Sequence, residues 1–231
     1  MNLVEIKNLS KIFGETNGLD QVDLEIPRGQ VIGLLGKNGS GKTTLFNCLM
    51  GLYQSSEGEV IVDGISNKEP EVRSKISYMP TFEWLPLSWS VGKVCRQYQE
   101  LFADFDLEKC QGLLMDLGIL ENQKLNGLST GMLAMVKLIL TISRKVPLYL
   151  LDEPFANMDF ITREDFCKIL LKEFSEESTF IISTHILEEM ETLLERVIFL
   201  NEGRVVGYII VEEYRETENQ SLTDFYREVA K

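Results

Sequence analysis

Nowhere does this chain run to the ~18 consecutive apolar residues that a membrane-crossing helix needs. Lysine and arginine never gather into a dense run, and 23 of them stand against 36 aspartates and glutamates, for a formal net charge of −13. That balance argues against nucleic acid as a main partner, because phosphate binding needs a basic face, and against direct adsorption to an anionic lipid surface. The four cysteines (Cys48, Cys95, Cys110 and Cys167) are scattered, with no CxxC pair and no zinc spacing. A disulfide framework and a structural zinc site are therefore excluded, and buried free thiols are expected. Internal repeats, low-complexity tracts and heptad runs are also missing, which excludes long coiled coils. The opening residues alternate like a strand and do not follow the charged-then-apolar order of a signal peptide. Together these absences predict a cytoplasmic chain with no membrane segment of its own.

Hydrophobic residues make up 44% of the 231 residues and charged residues 26%, enough apolar material for a packed core and too little charge for disorder. Length alone allows one large domain or two small ones. Leu3 to Asn8 and Val22 to Ile26 alternate in hydrophobicity, and residues 59–64 and 75–79 add two more segments of the kind, all read as half-buried antiparallel strands. Val31 to Leu35, Leu148 to Asp152 and Phe180 to Thr184 are short apolar runs suited to a covered parallel sheet. Between them the period turns helical: Val91 to Phe102 and Leu107 to Leu117 carry apolar residues at three- and four-residue steps. Val197 to Leu200 and Arg204 to Ile210, joined by Asn201-Glu202-Gly203, read as a closing hairpin. Residues 215–220 are polar, and Ser221 to Asp224 starts a short capped terminal helix.

The most informative segment is Gly36-Lys37-Asn38-Gly39-Ser40-Gly41-Lys42-Thr43. Its glycines, lysine and threonine stand at the offsets of a phosphate-binding Walker A loop, between a strand and a helix. Glycines let successive N–H groups turn inward toward phosphate oxygens, and the helix N-terminus favours the same anion. Gly36, Asn38, Gly39, Ser40, Gly41, Lys42, Thr43 and Thr44 are the expected phosphate-binding residues. Lys42 supplies a point charge, and the Thr43 hydroxyl is an expected magnesium ligand. Downstream, Asp152 and Glu153 follow four apolar residues at a strand end, the Walker B pattern. Asp152 is expected at the metal and Glu153 at the attacking water.

Leu128-Ser129-Thr130-Gly131-Met132 precedes an apolar helix and lies shortly upstream of Asp152. With this loop in place, the order of motifs from about Leu3 to Gly207 resembles the ATP-binding cassette (ABC) transporter ATPases. The resemblance implies an α/β P-loop NTPase fold: a mostly parallel sheet, an N-terminal antiparallel β subdomain and an inserted helical subdomain. Its division would be 1–81 and 142–214 for the nucleotide-binding core, 82–141 for the helical signature subdomain and 215–231 for a C-terminal helix, within a single domain 1–231. It implies ATP and Mg2+ as cofactors, with Ser129 and Gly131 as signature residues that reach the γ-phosphate held by a second copy. Asn157-Met158-Asp159 matches the loop that communicates across the dimer, His185 the switch histidine, and Phe13 the aromatic ring that stacks on adenine. Catalysis would then fall to Glu153, His185 and Lys42.

The chain departs from the pattern at Thr81, where the family usually carries a glutamine that reaches magnesium; Glu83 is a weaker substitute. Met132 after the signature glycine is similar to cassettes of bacterial drug and antimicrobial-peptide exporters. Phe82, Trp84, Leu85, Leu87 and Trp89 read equally as core or as the groove for a membrane subunit. The resemblance thus implies a homodimer or paired cassette that drives a separate transmembrane permease docked near Phe82–Trp89, at the cytoplasmic face of the membrane, exporting a drug, peptide or lipid-like substrate. An alternative with the same motifs is a non-transporting cassette that signals to a membrane protein in cell-envelope control. A GTPase is disfavoured because Asn67-Lys68-Glu69-Pro70 lacks the aspartate of the guanine motif.

Overall fold

In the computed structural model, which describes residues 2–156, 158–185 and 193–217 together with 222 and 225, two sheets share the chain. The first elements are β1 (Asn2–Phe13), β2 (Thr16–Pro27), β3 (Val31–Leu35), α1 (Lys42–Leu49), β4 (Glu57–Val62), β5 (Ile65–Ser66) and β6 (Ile76–Met79). Then come α2 (Val91–Leu101), α3 (Leu107–Asp116), α4 (Thr130–Ile142), β7 (Leu148–Asp152) and α5 (Phe160–Glu173). The last are β8 (Thr179–Thr184), β9 (Arg196–Asn201), β10 (Arg204–Ile210) and α6 (Val211–Thr217). An antiparallel sheet runs β2-β1-β4-β5, and a six-stranded sheet runs β10-β9-β3-β8-β7-β6, parallel except for β10 on β9.

Strand alternation divides the interior into two layers. Ile32, Leu34, Leu148, Leu150, Ile181 and Ile198 point to one face of the six-stranded sheet, where α1 and the antiparallel sheet cover them. Val31, Leu35, Tyr149, Leu151, Phe180 and Ile182 point to the other, in one continuous cluster with α2, α3, α4 and α5. The helical segment therefore has no separate core; it packs on the sheet directly. Phe180 is buried in that layer and stacks on Tyr149 with ring centroids 4.5 Å apart. Phe180→Ala removes a fully packed ring from a site that closes only in part, and is expected to lower unfolding free energy by roughly 3–5 kcal/mol, read from the urea midpoint.

One expectation needs correction, and two helices were not read from the sequence. The segment 75–79, read as antiparallel, is β6, which pairs in parallel with β7 at the sheet edge. Ser77 is what makes it read as half-polar; that side chain is buried, and its hydroxyl donates to the Thr141 carbonyl at 2.7 Å. Residues 160–173 drew no assignment, yet form α5. Its apolar face is thin (Phe166 and Leu170 are buried, while Phe160, Ile161 and Leu171 are exposed), so its periodicity is weak. Asp159 starts it by accepting from the Thr162 N–H at 3.0 Å, an N-cap. The polar residues from Arg215 onward begin within α6, which already starts at Val211. The terminal helix read at 221–224 lies largely outside the described residues.

The cysteines follow expectation, with Cys48, Cys95 and Cys110 buried and Cys167 partly so. Among the described residues no helix is long and apolar enough to cross a membrane.

Candidate functional site: a phosphate-binding cleft

The parallel register explains why distant motifs meet. β3, β8 and β7 are neighbours running the same way, so the segments after their carboxyl ends gather at one edge of the sheet, where open α/β sheets bind ligands. The loop 36–41 leaves β3, Asp152 ends β7 with Glu153 just after it, and His185 follows β8.

Gly41 sets the turn into α1 at φ 110°, a conformation that side chains rarely adopt, and a Cβ there would lie 2.6 Å from the Gly18 carbonyl. Lys42, buried beneath the loop, donates from Nζ to the Gly36 carbonyl at 2.7 Å and pairs with Glu153 Oε1 at 3.2 Å. The Ser40 hydroxyl is buried and has no hydrogen-bond partner among the described residues.

Asp152 is 1% exposed and its carboxylate is fully engaged. Ser183 donates to Oδ1 at 2.6 Å, and Thr43 and Tyr78 donate to Oδ2 at 2.7 and 3.3 Å. Glu153 stands at φ 47°, the left-handed region, with its N–H held by Ser183 Oγ at 2.9 Å. Such a conformation costs of order 1–3 kcal/mol and is maintained by its surroundings, a pattern that gathers at functional sites. Its Oε2 lies 2.9 Å from His185 Nδ1. Of the three residues expected in catalysis, Lys42 and His185 thus each contact Glu153, which stands between them.

Lys42, Asp152 and Glu153 border an open cleft of about 560 Å³, while His185 touches Glu153 but is not among the residues that line it. Of the expected binding residues, Phe13, Asn38, Gly39, Ser40, Gly41, Lys42, Thr43, Thr44, Asp152 and Glu153 line it. Gly36 lies behind the loop, where a Cβ would sit 2.2 Å from Ser40 Oγ, so it shapes the loop from within. Phe13 is 42% exposed; its ring lies on Gly18 and meets Tyr53 edge-to-face at 5.3 Å. Ser129 and Gly131 are not brought to this lining. Ser129 caps α4, accepting from the Met132 N–H at 3.2 Å, and Gly131 packs on Thr162, whose Oγ1 would be 2.8 Å from an added Cβ. Asn157 lies outside the described residues.

Sequence reasoning missed Thr16, Asn17, Gly18 and Tyr78. The first three reach the cleft from the antiparallel sheet and carry no motif. Tyr78 was legible only as an apolar strand position. Thr81 borders the cleft, its hydroxyl donating to the Asp152 carbonyl at 3.3 Å. Glu83 does not substitute there: its oxygens accept from the Leu85 N–H at 3.0 Å and pair with Lys137 at 2.8 Å. The apolar segment 82–89 divides. Leu85 is core, Trp84 and Trp89 are partly buried on the helical cluster, and Phe82 and Leu87 are exposed.

A magnesium nucleotide fits this donor set. A glycine loop opens a helix, an orphaned serine hydroxyl lies within the loop and a lysine beneath it, and a carboxylate faces a threonine hydroxyl. The fold and cleft together define a P-loop nucleoside triphosphatase of α/β architecture. The ABC transporter family model matches residues 19–156, and the chain belongs to that family: it is an ATP-binding cassette, an ATPase that binds ATP and uses magnesium.

It is 31% identical over 216 residues to the ABC transporter ATP-binding protein YtrB of Bacillus subtilis (strain 168), covering 93% of this chain and 74% of that one. It is also 29% identical over 222 residues to the SkfA peptide export ATP-binding protein SkfE of the same organism, covering 94% of this chain and 92% of the relative. Among solved structures, an ATP-binding cassette captured as a dimer in a post-hydrolysis state with ADP and Pi superposes with a TM-score of 0.77 at 25% identity, over 90% of this chain and 98% of that one.

Proposed function

We propose that two copies of this chain, or this chain and a similar cassette, close face to face around ATP and drive a separate membrane-spanning subunit. The observation that carries this reading is that the cleft bordered by Lys42, Asp152 and Glu153 is open, while Ser129 and Gly131 lie away from its lining in the same copy. A symmetric pairing places the signature loop of each copy over the cleft of the other. The dimeric relative is consistent with that arrangement.

In the proposed cycle, Lys42 and the loop N–H groups bind the phosphates of ATP, and Phe13 offers its ring to adenine. Thr43 and Asp152 would hold magnesium, which when bound supplies positive charge beside the β and γ phosphates. Glu153 accepts a proton from the attacking water, with His185 fixing its carboxylate and the terminal phosphate. Lys42 and His185 both contact Glu153. The incoming phosphate competes for Lys42, and this frees one carboxylate oxygen for water. Ser129 and Gly131 of the opposite copy complete the pocket, and hydrolysis removes the shared phosphate so that the copies separate.

The helical segment 82–141 forms the transmitting subdomain of this scheme, with 1–81 and 142–214 as the nucleotide-binding core. The permease would dock near Phe82–Trp89, where exposed Phe82 lies both on the cleft rim and at the start of the helical segment. This places the chain on the cytoplasmic face of the membrane through its partner. Outward movement of a drug, peptide or lipid-like substrate is supported by Met132 and by the peptide-export relative.

The test is to copurify the chain with its membrane subunit in lipid vesicles and measure ATPase stimulation by candidate cargo. Stimulation accompanied by ATP-dependent cargo movement across the vesicle membrane is expected. A partner that raises ATPase activity while no cargo moves would replace transport with signalling.

A further inference from the structure

We infer that the hydroxyl of Tyr78 is a positioning residue for the divalent cation of the cleft, holding Asp152 Oδ2 in place and accepting a hydrogen bond from a water of the cation's shell. The inference rests on the magnesium nucleotide reading of the cleft.

Register makes the contact possible. Tyr78 pairs with Leu150, and Asp152 lies two residues beyond Leu150 on the same face of β7. That diagonal is within reach of an aromatic side chain, as the hydrogen bond shows. The phenol spans it and donates to Oδ2 at 3.3 Å, the oxygen that also accepts from Thr43 at 2.7 Å. Ser183 takes the other oxygen. Three hydroxyls thus fix one buried carboxylate, and two of them, on Thr43 and Tyr78, belong to residues that line the cleft.

A phenol oxygen that donates its one proton keeps the capacity to accept. The ring packs edge-to-face on Phe46 with centroids 6.2 Å apart, which sets the direction of the hydroxyl. Groups that orient a metal-binding carboxylate through hydrogen bonds typically contribute 10–100-fold to metal affinity.

The test compares wild type with Tyr78→Phe, which keeps the ring and its packing. Binding of a fluorescent ADP analogue is titrated in EDTA and then across magnesium concentrations, with manganese followed by electron paramagnetic resonance as a second readout. The nucleotide-free variant is expected to unfold within a few degrees of wild type and to bind the analogue in EDTA within about twofold, while half-saturating magnesium rises roughly tenfold. Manganese should weaken in parallel. An unchanged magnesium requirement overturns the inference about Tyr78 while leaving the nucleotide site intact. Equal losses in EDTA and in magnesium also overturn it, since they describe a packing role. If magnesium fails to strengthen nucleotide binding even in wild type, the reading of the cleft itself falls, and this inference with it.

Discussion

Glu153→Gln is expected to bind ATP, to hydrolyse it roughly 10²–10⁴-fold more slowly than wild type, and to accumulate as a closed dimer in ATP and magnesium. The amide matches the carboxylate in shape but cannot accept a proton from water, so the chemical step loses its base. Binding should survive, because the loop from Gly36 to Thr43 and the N-terminus of α1 are untouched. It should even improve, since Glu153 Oε1 is 3.2 Å from Lys42 Nζ, and a neutral group there no longer competes with phosphate for that ammonium. The backbone at φ 47° is held by Ser183 through the N–H, so the substitution leaves the turn itself supported. Single-turnover hydrolysis and light scattering after gel filtration measure the two effects. Near-normal turnover would remove Glu153 from its assigned role.

Ser129→Arg is expected to abolish that dimer in the Glu153→Gln background while leaving nucleotide binding by each monomer within about twofold. Ser129 does not line the cleft of its own copy, so nucleotide binding there should tolerate the change. In a face-to-face pair the arginine enters the opposite cleft, where it fills the space meant for the terminal phosphate. Loss of the serine hydroxyl also removes the cap on the Met132 N–H, at a cost of about 1 kcal/mol to α4. Ser129→Ala isolates that smaller effect and should keep much of the dimer. A dimer that forms equally well with arginine would sink the paired arrangement.

Much of this site was readable from the chain because its chemistry is local. A loop that must curl around phosphate needs glycines at fixed offsets, and a metal carboxylate at a strand end needs an apolar run before it. Gly41, Lys42, Thr43, Asp152 and Glu153 could be named on those grounds, and the apolar runs of β3, β7 and β8 announced a covered parallel sheet. Reading failed where a side chain's role depended on a partner far along the chain. Ser77 made β6 look half exposed because its acceptor, the Thr141 carbonyl, is 64 residues away. Tyr78 looked like another apolar strand position because its hydroxyl meets Asp152 across 74 residues. Glu83 remained a conceivable cleft residue until its pairing with Lys137 placed it in the helical layer.

The sequence by itself determined that this chain carries a glycine loop of phosphate-binding pattern and paired acids where a parallel strand ends, since those patterns are made by neighbouring residues. Tertiary structure alone decided which strands flank β3, how Ser183 and Tyr78 converge on Asp152, and that Ser129 and Gly131 lie away from the cleft of their own copy. Those are matters of register and strand order, and they arise only when distant segments bury their apolar faces against one another.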